Sequence, residues 1–335
     1  MLLGMNVKPD LQKRASQPCA GRVGLYFYDT VQYRRRRLTA HYLTADAVQG
    51  ARPALSDARA TLTRDVLAID ERGRRKALAI PAERPLTVYV DKRELVTLMT
   101  LGGAPEMLTL GYLRNQRLVR QLADIVSIQV DWSVDAVAVV TRSGIADIEQ
   151  RTAKKVVTTG CGQGSVFGGL MDEVDSIVLP PDARLAQSGV YRIVETIRTQ
   201  PSIYKQAGSV HGCALFTRDG ELLYFVEDVG RHNAVDAIAG LMWLHGVDGA
   251  DKVFYTTGRL TSEMVIKGAQ MGIPFLLSRS GTTQMGQMVA GRVGMALLTR
   301  CSGRHFLLLA GHERLVFEPH LLETPPVRLA DEPVA

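Results

Sequence analysis

The chain has 335 residues, 46% of them hydrophobic, and a formal net charge of +6. That is enough apolar material for one or two cored domains. No run approaches the roughly 18 apolar residues of a membrane span and no secretory leader is evident, so a cytoplasmic protein without membrane association is expected.

Residues 1–80 hold fifteen Lys/Arg against seven Asp/Glu, so the basicity belongs to the leader. Runs such as Arg34-Arg35-Arg36-Arg37 read as solvated segments, and nucleic-acid binding is not expected from them. Residues 1–75 mix charge with small residues and lack sustained periodicity, which reads as a basic, disordered extension. Folded structure is expected from near Arg84. Leu86–Val90 and Glu94–Met99 alternate as two strands joined by Asp91-Lys92-Arg93. Pro105 opens a short helix, where its missing N–H costs nothing. Ile125–Val130 and Val134–Val139 add two strands, so residues 76–150 form a small α+β domain.

The run Lys155-Val156-Val157-Thr158-Thr159 reads as a strand ending in the glycine-rich loop Thr159-Gly160-Cys161-Gly162-Gln163-Gly164-Ser165. From there helix and strand patterns alternate. Val190, Ile193, Val194 and Ile197 make one helical stripe, and Val235, Ile238, Ala239 and Met242 another. Strands are expected at Val210–Phe216, Leu222–Val226, Val253–Thr256, Pro274–Leu277, Met295–Thr299 and Phe306–Leu309, with helices at Ser262–Met271 and Gln284–Val293. Strands separated by helices of this length indicate a layered α/β domain, here residues 151–318. The chain after Glu313 contains prolines and reads as a tail, with 319–335 outside the domain.

Four cysteines, Cys19, Cys161, Cys213 and Cys301, show no paired spacing, which argues against a disulfide framework or a closed zinc site and for a reducing compartment. Cys161 stands out. Three glycines around it let the backbone turn sharply and let a large ligand approach the sulfur, and backbone N–H groups can favour its thiolate. Polar clusters recur at strand ends, where open α/β sheets place ligands. They are Glu227–Asn233, Thr256–Glu263, Ser278–Thr283 and Thr299–Arg304. Arg259 with hydroxyls at a helix start suits an oxyanion. His211 is a strand histidine that is more often structural than basic in such a place. No Walker loop or dinucleotide fingerprint is present, and the ligands of a zinc deaminase are missing.

Two long strings resemble a known family. Glu227-Asp228-Val229-Gly230-Arg231-His232-Asn233-Ala234-Val235-Asp236 is similar to a signature of the FdhD formate dehydrogenase accessory proteins. So is Gly258-Arg259-Leu260-Thr261-Ser262-Glu263-Met264-Val265, with Lys267 and then Gly272-Ile273-Pro274. Ala104–Leu113 resembles the stretch that precedes the family's cysteine loop. The resemblance covers residues 84–317. It implies a cytidine-deaminase-like larger domain, a homodimer, and a sulfur carrier. Such a carrier takes persulfide sulfur from a cysteine desulfurase. It passes the sulfur to the bis-molybdopterin guanine dinucleotide molybdenum cofactor before that cofactor enters the formate dehydrogenase catalytic subunit.

On this resemblance Cys161 corresponds to the persulfide carrier. Thr299, Arg300, Cys301, Ser302, Gly303 and Arg304 correspond to a cofactor-binding segment, with Arg231, His232, Arg259 and Arg279 as further contacts and no metal held by the protein itself. One departure is informative. The family pattern has a second cysteine where this chain has Gly164, so no neighbouring thiol can discharge a persulfide as a disulfide. Direct transfer from Cys161 is the simplest chemistry left, and a cofactor chaperone that carries no sulfur is the alternative.

Overall fold

A computed structural model describes residues 52–145 and 174–321. Cys19, the strand expected at Lys155–Thr159 and the Cys161 loop lie outside the described residues.

The N-terminal unit runs β1 (Ala54–Leu55), β2 (Thr63–Ile69), β3 (Arg75–Pro81), β4 (Arg84–Val90), β5 (Arg93–Thr100), α1 (Pro105–Asn115), β6 (Ile125–Asp131) and β7 (Ala136–Thr141). Five of these strands form one sheet in the order β1-β6-β7-β4-β5. Asp91 and Lys92 both take left-handed φ, +47° and +70°, so two residues suffice for the β4–β5 turn. Pro105 occupies the first turn of α1 as its sequence position requires.

Order begins earlier than the composition suggests. β1 pairs in parallel with β6, and β2 with β3 forms a separate hairpin. Its turn is fixed by Asp70, whose Oδ1 accepts from the N–H groups of Arg72 and Arg74, both at 2.9 Å. Residues 52–75 therefore do not belong to a disordered extension. Their strands bury neither face cleanly, so no periodicity marks them, while Asp70 and Gly73 (φ +73°) supply the turn chemistry.

The second unit contains β8 (Leu185–Ala186), α2 (Gln187–Thr199), α3 (Ile203–Ala207), β9 (His211–Thr217), β10 (Leu222–Asp228), α4 (Arg231–His245), β11 (Lys252–Thr256), α5 (Ser262–Gln270), β12 (Phe275–Ser278), α6 (Gln284–Arg292), β13 (Ala296–Ser302), β14 (His305–Ala310) and β15 (Leu315–Val316). Its six-stranded sheet has the order β10-β9-β11-β12-β13-β14, with β11, β12 and β13 parallel. One face, including Leu215, Phe254, Leu276 and Leu297, packs on Val235, Ile238 and Met242 of α4 and on Met264 and Val265 of α5. The other face, including Phe216, Phe275 and Leu298, is covered by Val190, Ile193 and Val194 of α2. This is the layered α/β architecture expected, beside a smaller α+β unit.

The stretch after Glu313 is not simply a tail. β15 pairs in parallel with β8, Arg314 is buried, and Glu318 Oε2 accepts from Ser188 N at 2.7 Å. The two units meet where α1 crosses α4 with glycines at the contact. A Cβ at Gly111 would fall 1.6 Å from the Asp236 carbonyl oxygen, and one at Gly240 would fall 2.0 Å from that of Met107. Only residues without side chains allow the two backbones to approach so closely.

Candidate functional site

The strand directions bring the polar clusters to one end of the large sheet. β11, β12 and β13 finish there, β9 begins there at His211, and β10 arrives there at Asp228, which pairs with His211. The loops are stitched together. Thr257 N donates to Gly212 O at 2.9 Å and Gly212 N donates to Thr257 Oγ1 at 3.0 Å. Ser278 Oγ donates to Gly258 O at 2.7 Å, Arg279 N to Thr256 O at 3.1 Å, and Arg300 N to Ser280 O at 2.8 Å.

Much of the Glu227–Asp236 string builds this end rather than facing it. Glu227 accepts from Ile203 N at 2.6 Å and Tyr204 N at 3.2 Å, which caps α3. Asp228 accepts from Thr100 Oγ1 at 2.5 Å, Leu101 N at 3.1 Å, Gly230 N at 3.1 Å and Asn233 Nδ2 at 2.9 Å. Asn233 Nδ2 also donates to Met99 O at 2.6 Å. The end of β5 is thereby fastened to the start of α4. Burial pushes the carboxyls of Glu227 and Asp228 up, against the pull of these donors.

Behind the loops runs a buried ionic chain. His232 Nδ1 lies 3.0 Å from Glu263 Oε1, which lies 3.5 Å from Lys267 Nζ. Lys267 Nζ lies 2.9 Å from Asp236 Oδ1, and Asp236 accepts from Asn115 Nδ2 of α1 at 2.7 Å. Burial opposes the charge on Lys267, but the carboxylates of Asp236 and Glu263 outweigh it and raise the ammonium above its ordinary value. For Glu263, burial raises the carboxyl, yet His232 and Lys267 prevail and hold it at about 2.

This depressed acid has a sign that can be measured. The stability Glu263 adds is fully present above its ordinary value of 4.5 and is lost as pH falls toward about 2. Shifts of this size correspond to about 3 kcal/mol. The stability gap between the wild-type chain and Glu263→Gln, followed by urea unfolding, is expected to be widest near neutral pH and to close below about pH 4.5. A gap independent of pH contradicts the assignment.

The sequence-derived contacts separate into two groups. Arg231 and His232 are buried, with the Arg231 side chain lying against Gly258, where a Cβ would come 2.9 Å from Cδ. Arg259 and Arg279 are exposed at the loop ends, and the Arg279 guanidinium sits 6.0 Å from the Tyr204 ring centroid. Within Thr299–Arg304 the strand alternates. Thr299 and Cys301 point into the core, while Arg300, Ser302, Gly303 and Arg304 are exposed. Arg304 stacks 6.0 Å over Tyr191 of α2. Burial, followed by the charges of Arg231, His232 and Arg259, lowers the pKa of half-buried His211, so these four groups share one electropositive neighbourhood. Such an edge suits a ligand with several anionic oxygens.

The two described cysteines are buried, and burial pushes each thiol up to about 12. Among the described residues no group of three or more His, Cys, Asp or Glu could hold a metal ion. Tyr204, Thr100 and Asn115 were not singled out by sequence reasoning, since none lies in a motif. Lys267 carried a visible signal, a lone cation inside the apolar stripe Met264–Ala269 four residues after Glu263.

Known proteins resemble this chain in sequence and in fold. The FdhD/NarQ family model matches residues 81–316. A sulfur carrier protein FdhD of Halalkalibacterium halodurans is 29% identical over 222 residues, covering 63% of this chain and 78% of that protein. Another, of Sulfurisphaera tokodaii, is 28% identical over 242 residues, covering 71% and 91%. The crystal structure of a putative formate dehydrogenase accessory protein from Desulfotalea psychrophila superposes with a TM-score of 0.60 at 25% identity, over 76% of this chain and all of that one.

Proposed function

The chain belongs to the FdhD/NarQ family, and on that premise we propose that it is a sulfur carrier serving formate dehydrogenase, with Cys161 as the carrying thiol. The observation that carries the residue assignment is the burial of Cys213 and Cys301. With thiols raised to about 12 they are not thiolate nucleophiles near neutral pH. Of the cysteines within residues 81–316, that leaves Cys161.

The Cys161 thiolate attacks the outer sulfur of a persulfide on a cysteine desulfurase. The donor's S–S bond breaks, the desulfurase thiolate leaves, and Cys161–S–SH forms. With Gly164 in place of a second thiol, the outer sulfur passes directly from Cys161 to the molybdenum of the bis-molybdopterin guanine dinucleotide cofactor, which is client and substrate rather than a resident group; the Cys161 S–S bond breaks, the Cys161 thiolate leaves, and the reduced metal centre of that substrate supplies the two electrons that bring the sulfur to the sulfide level. Arg259, Arg279, Arg300 and Arg304 are the exposed cations that engage its phosphates and base. The carrier works as a homodimer in a cytoplasmic setting, and no helix of the described residues is long and apolar enough to cross a membrane.

The absence of a second loop cysteine favours one other reading, a cofactor chaperone that carries no sulfur. Incubation with desulfurase and cysteine, followed by peptide mass mapping, separates the two. The carrier reading expects one added sulfur on the Cys161 peptide, lost on reduction. An unmodified Cys161 peptide beside a sulfur-loaded desulfurase contradicts it.

A further inference from the structure

Tyr204, the second residue of α3, is 50% exposed, while Ile203 before it is buried with Leu101 and Val210. A helix of five residues cannot hold itself, so outside bonds set its place. Glu227 accepts from Ile203 N and Tyr204 N. Ser202 Oγ accepts from Lys205 N at 3.2 Å, and Lys205 Nζ donates to the carbonyls of Arg198 and Gln200 at 2.8 and 2.6 Å. The backbone is thereby fixed with the Tyr204 ring half in water. A single exposed aromatic is ordinary. What distinguishes this one is the Arg279 guanidinium, 6.0 Å from the ring centroid. Direct contact would bring the two to about 3.5–4 Å, so the pair stands at the outer limit of a cation–π interaction. A planar group lying between them needs two such contacts, about 7 Å. Arg279 has to withdraw by only about 1 Å, and its exposed side chain can swing while its N–H stays on Thr256 O.

Tyr191 is the contrast. Arg304 also stands 6.0 Å from its ring, but that ring packs on Phe306 with centroids 6.2 Å apart, and its hydroxyl accepts from Gln187 Nε2 at 2.7 Å. Among the described residues no other aromatic ring lies against Tyr204. The loops on either side of Arg279 carry exposed cations. Ser278 Oγ holds the Gly258 carbonyl beside Arg259, and Ser280 O accepts from Arg300 N.

We propose that Tyr204 and Arg279 form a clamp for the planar base of an anionic nucleotide, whose phosphates lie on Arg259 and Arg300. The base stacks on the Tyr204 ring, and the guanidinium closes over its other face. Stacking reads a π-face, which every base has, so the clamp recognises planarity and leaves the choice among bases to other contacts. The clamp rests on the cofactor-binding half of the proposed function, while sulfur carriage by Cys161 does not depend on it.

Two probes titrated calorimetrically into the full-length protein separate stacking from charge: GDP, which carries a base, and pyrophosphate, which does not. Removing one stacking ring costs about 5- to 150-fold in affinity. Tyr204→Leu is therefore expected to weaken GDP by about tenfold and to leave pyrophosphate unchanged. Tyr204→Phe keeps the ring and keeps GDP affinity. Arg279→Lys keeps the charge but loses the plane, so it weakens GDP and spares pyrophosphate. In the wild-type chain, nuclear Overhauser contacts are expected between the base proton of bound GDP and the Tyr204 ring protons. That measurement decides even if a variant misfolds. The proposal is overturned by GDP affinity equal in Tyr204→Leu and wild type, by an equal loss for pyrophosphate, by bound GDP without the ring contact, or by a wild-type chain that binds no GDP. The last result also removes the cofactor-binding half of the proposed function. The first three leave that half standing, because the wild-type chain still binds the nucleotide.

Discussion

Formate dehydrogenase reconstituted with the Cys161→Ala chain is expected to show at least about a hundredfold less activation than with the wild-type chain, because neither cysteine among the described residues replaces the lost nucleophile. The magnitude follows from the other thiols. At about 12, Cys213 and Cys301 would populate the thiolate near neutral pH on the order of once in 10⁵ molecules. Both also sit inside the core, Cys213 against Thr256 and Cys301 among Phe275, Leu277 and Leu298. Cys213→Ala should therefore retain activation. Gly164 sharpens the expectation, since no neighbouring thiol can accept the sulfur in place of Cys161. Full activation by Cys161→Ala would remove the sulfur-carrying step from this protein.

The largest effect on stability is expected at Lys267, not at the exposed arginines. Lys267 is fully buried, and Asp236 is 1% exposed beside it. Lys267→Met leaves two carboxylates without their cation in a medium that solvates them poorly. Breaking a buried pair from one side costs about 3–5 kcal/mol, a large share of the 5–15 kcal/mol typical of whole domains. The midpoint of urea unfolding should fall with little change in slope. Replacing Asp236 by Asn in the same chain should recover part of the loss, because one of the stranded charges is gone. The damage should reach α1 as well, since Asn115 is held by Asp236. An unfolding midpoint equal to wild type would show that the chain of charges is not what joins α4, α5 and α1.

The alternation of strand and helix patterns made the large sheet readable from composition and period. Val190–Ile197, Val235–Met242 and the strand ends at Thr256 and Ser278 are where the pattern places them. The hairpin of β2 and β3 was hidden because Leu67, Ile69, Leu78 and Ile80 stay exposed, so no buried face imposes a clean alternation. The terminal turns around Arg314 and Glu318 were hidden for a different reason. Their order comes from single long-range bonds to Gly294, Pro180 and Ser188, which leave no periodic trace.

The site was legible as a set of polar strand ends, but not as a division of labour. Glu227–Asn233 reads as chemistry because two acids, an arginine and a histidine in one turn exceed what one helix cap needs. In the fold Glu227 and Asp228 accept from backbone N–H groups of α3 and of the segment after β5, and Asn233 donates to Met99 O of β5, partners separated by up to 134 residues in sequence. Thr299 and Cys301 belong to a matched segment whose strand period turns them inward while Arg300 and Arg304 remain outside. The resemblance singled out the segment, and the pleat decides which of its residues are exposed.

The intact mass of the protein as purified from cells tests the central claim most directly. The account predicts a population heavier by one sulfur atom, restored to the sequence mass by reductant, with the added sulfur mapping to Cys161. A chain at its sequence mass when isolated together with an active, sulfur-loaded desulfurase, or added sulfur mapping to Cys19, Cys213 or Cys301 instead, would contradict it.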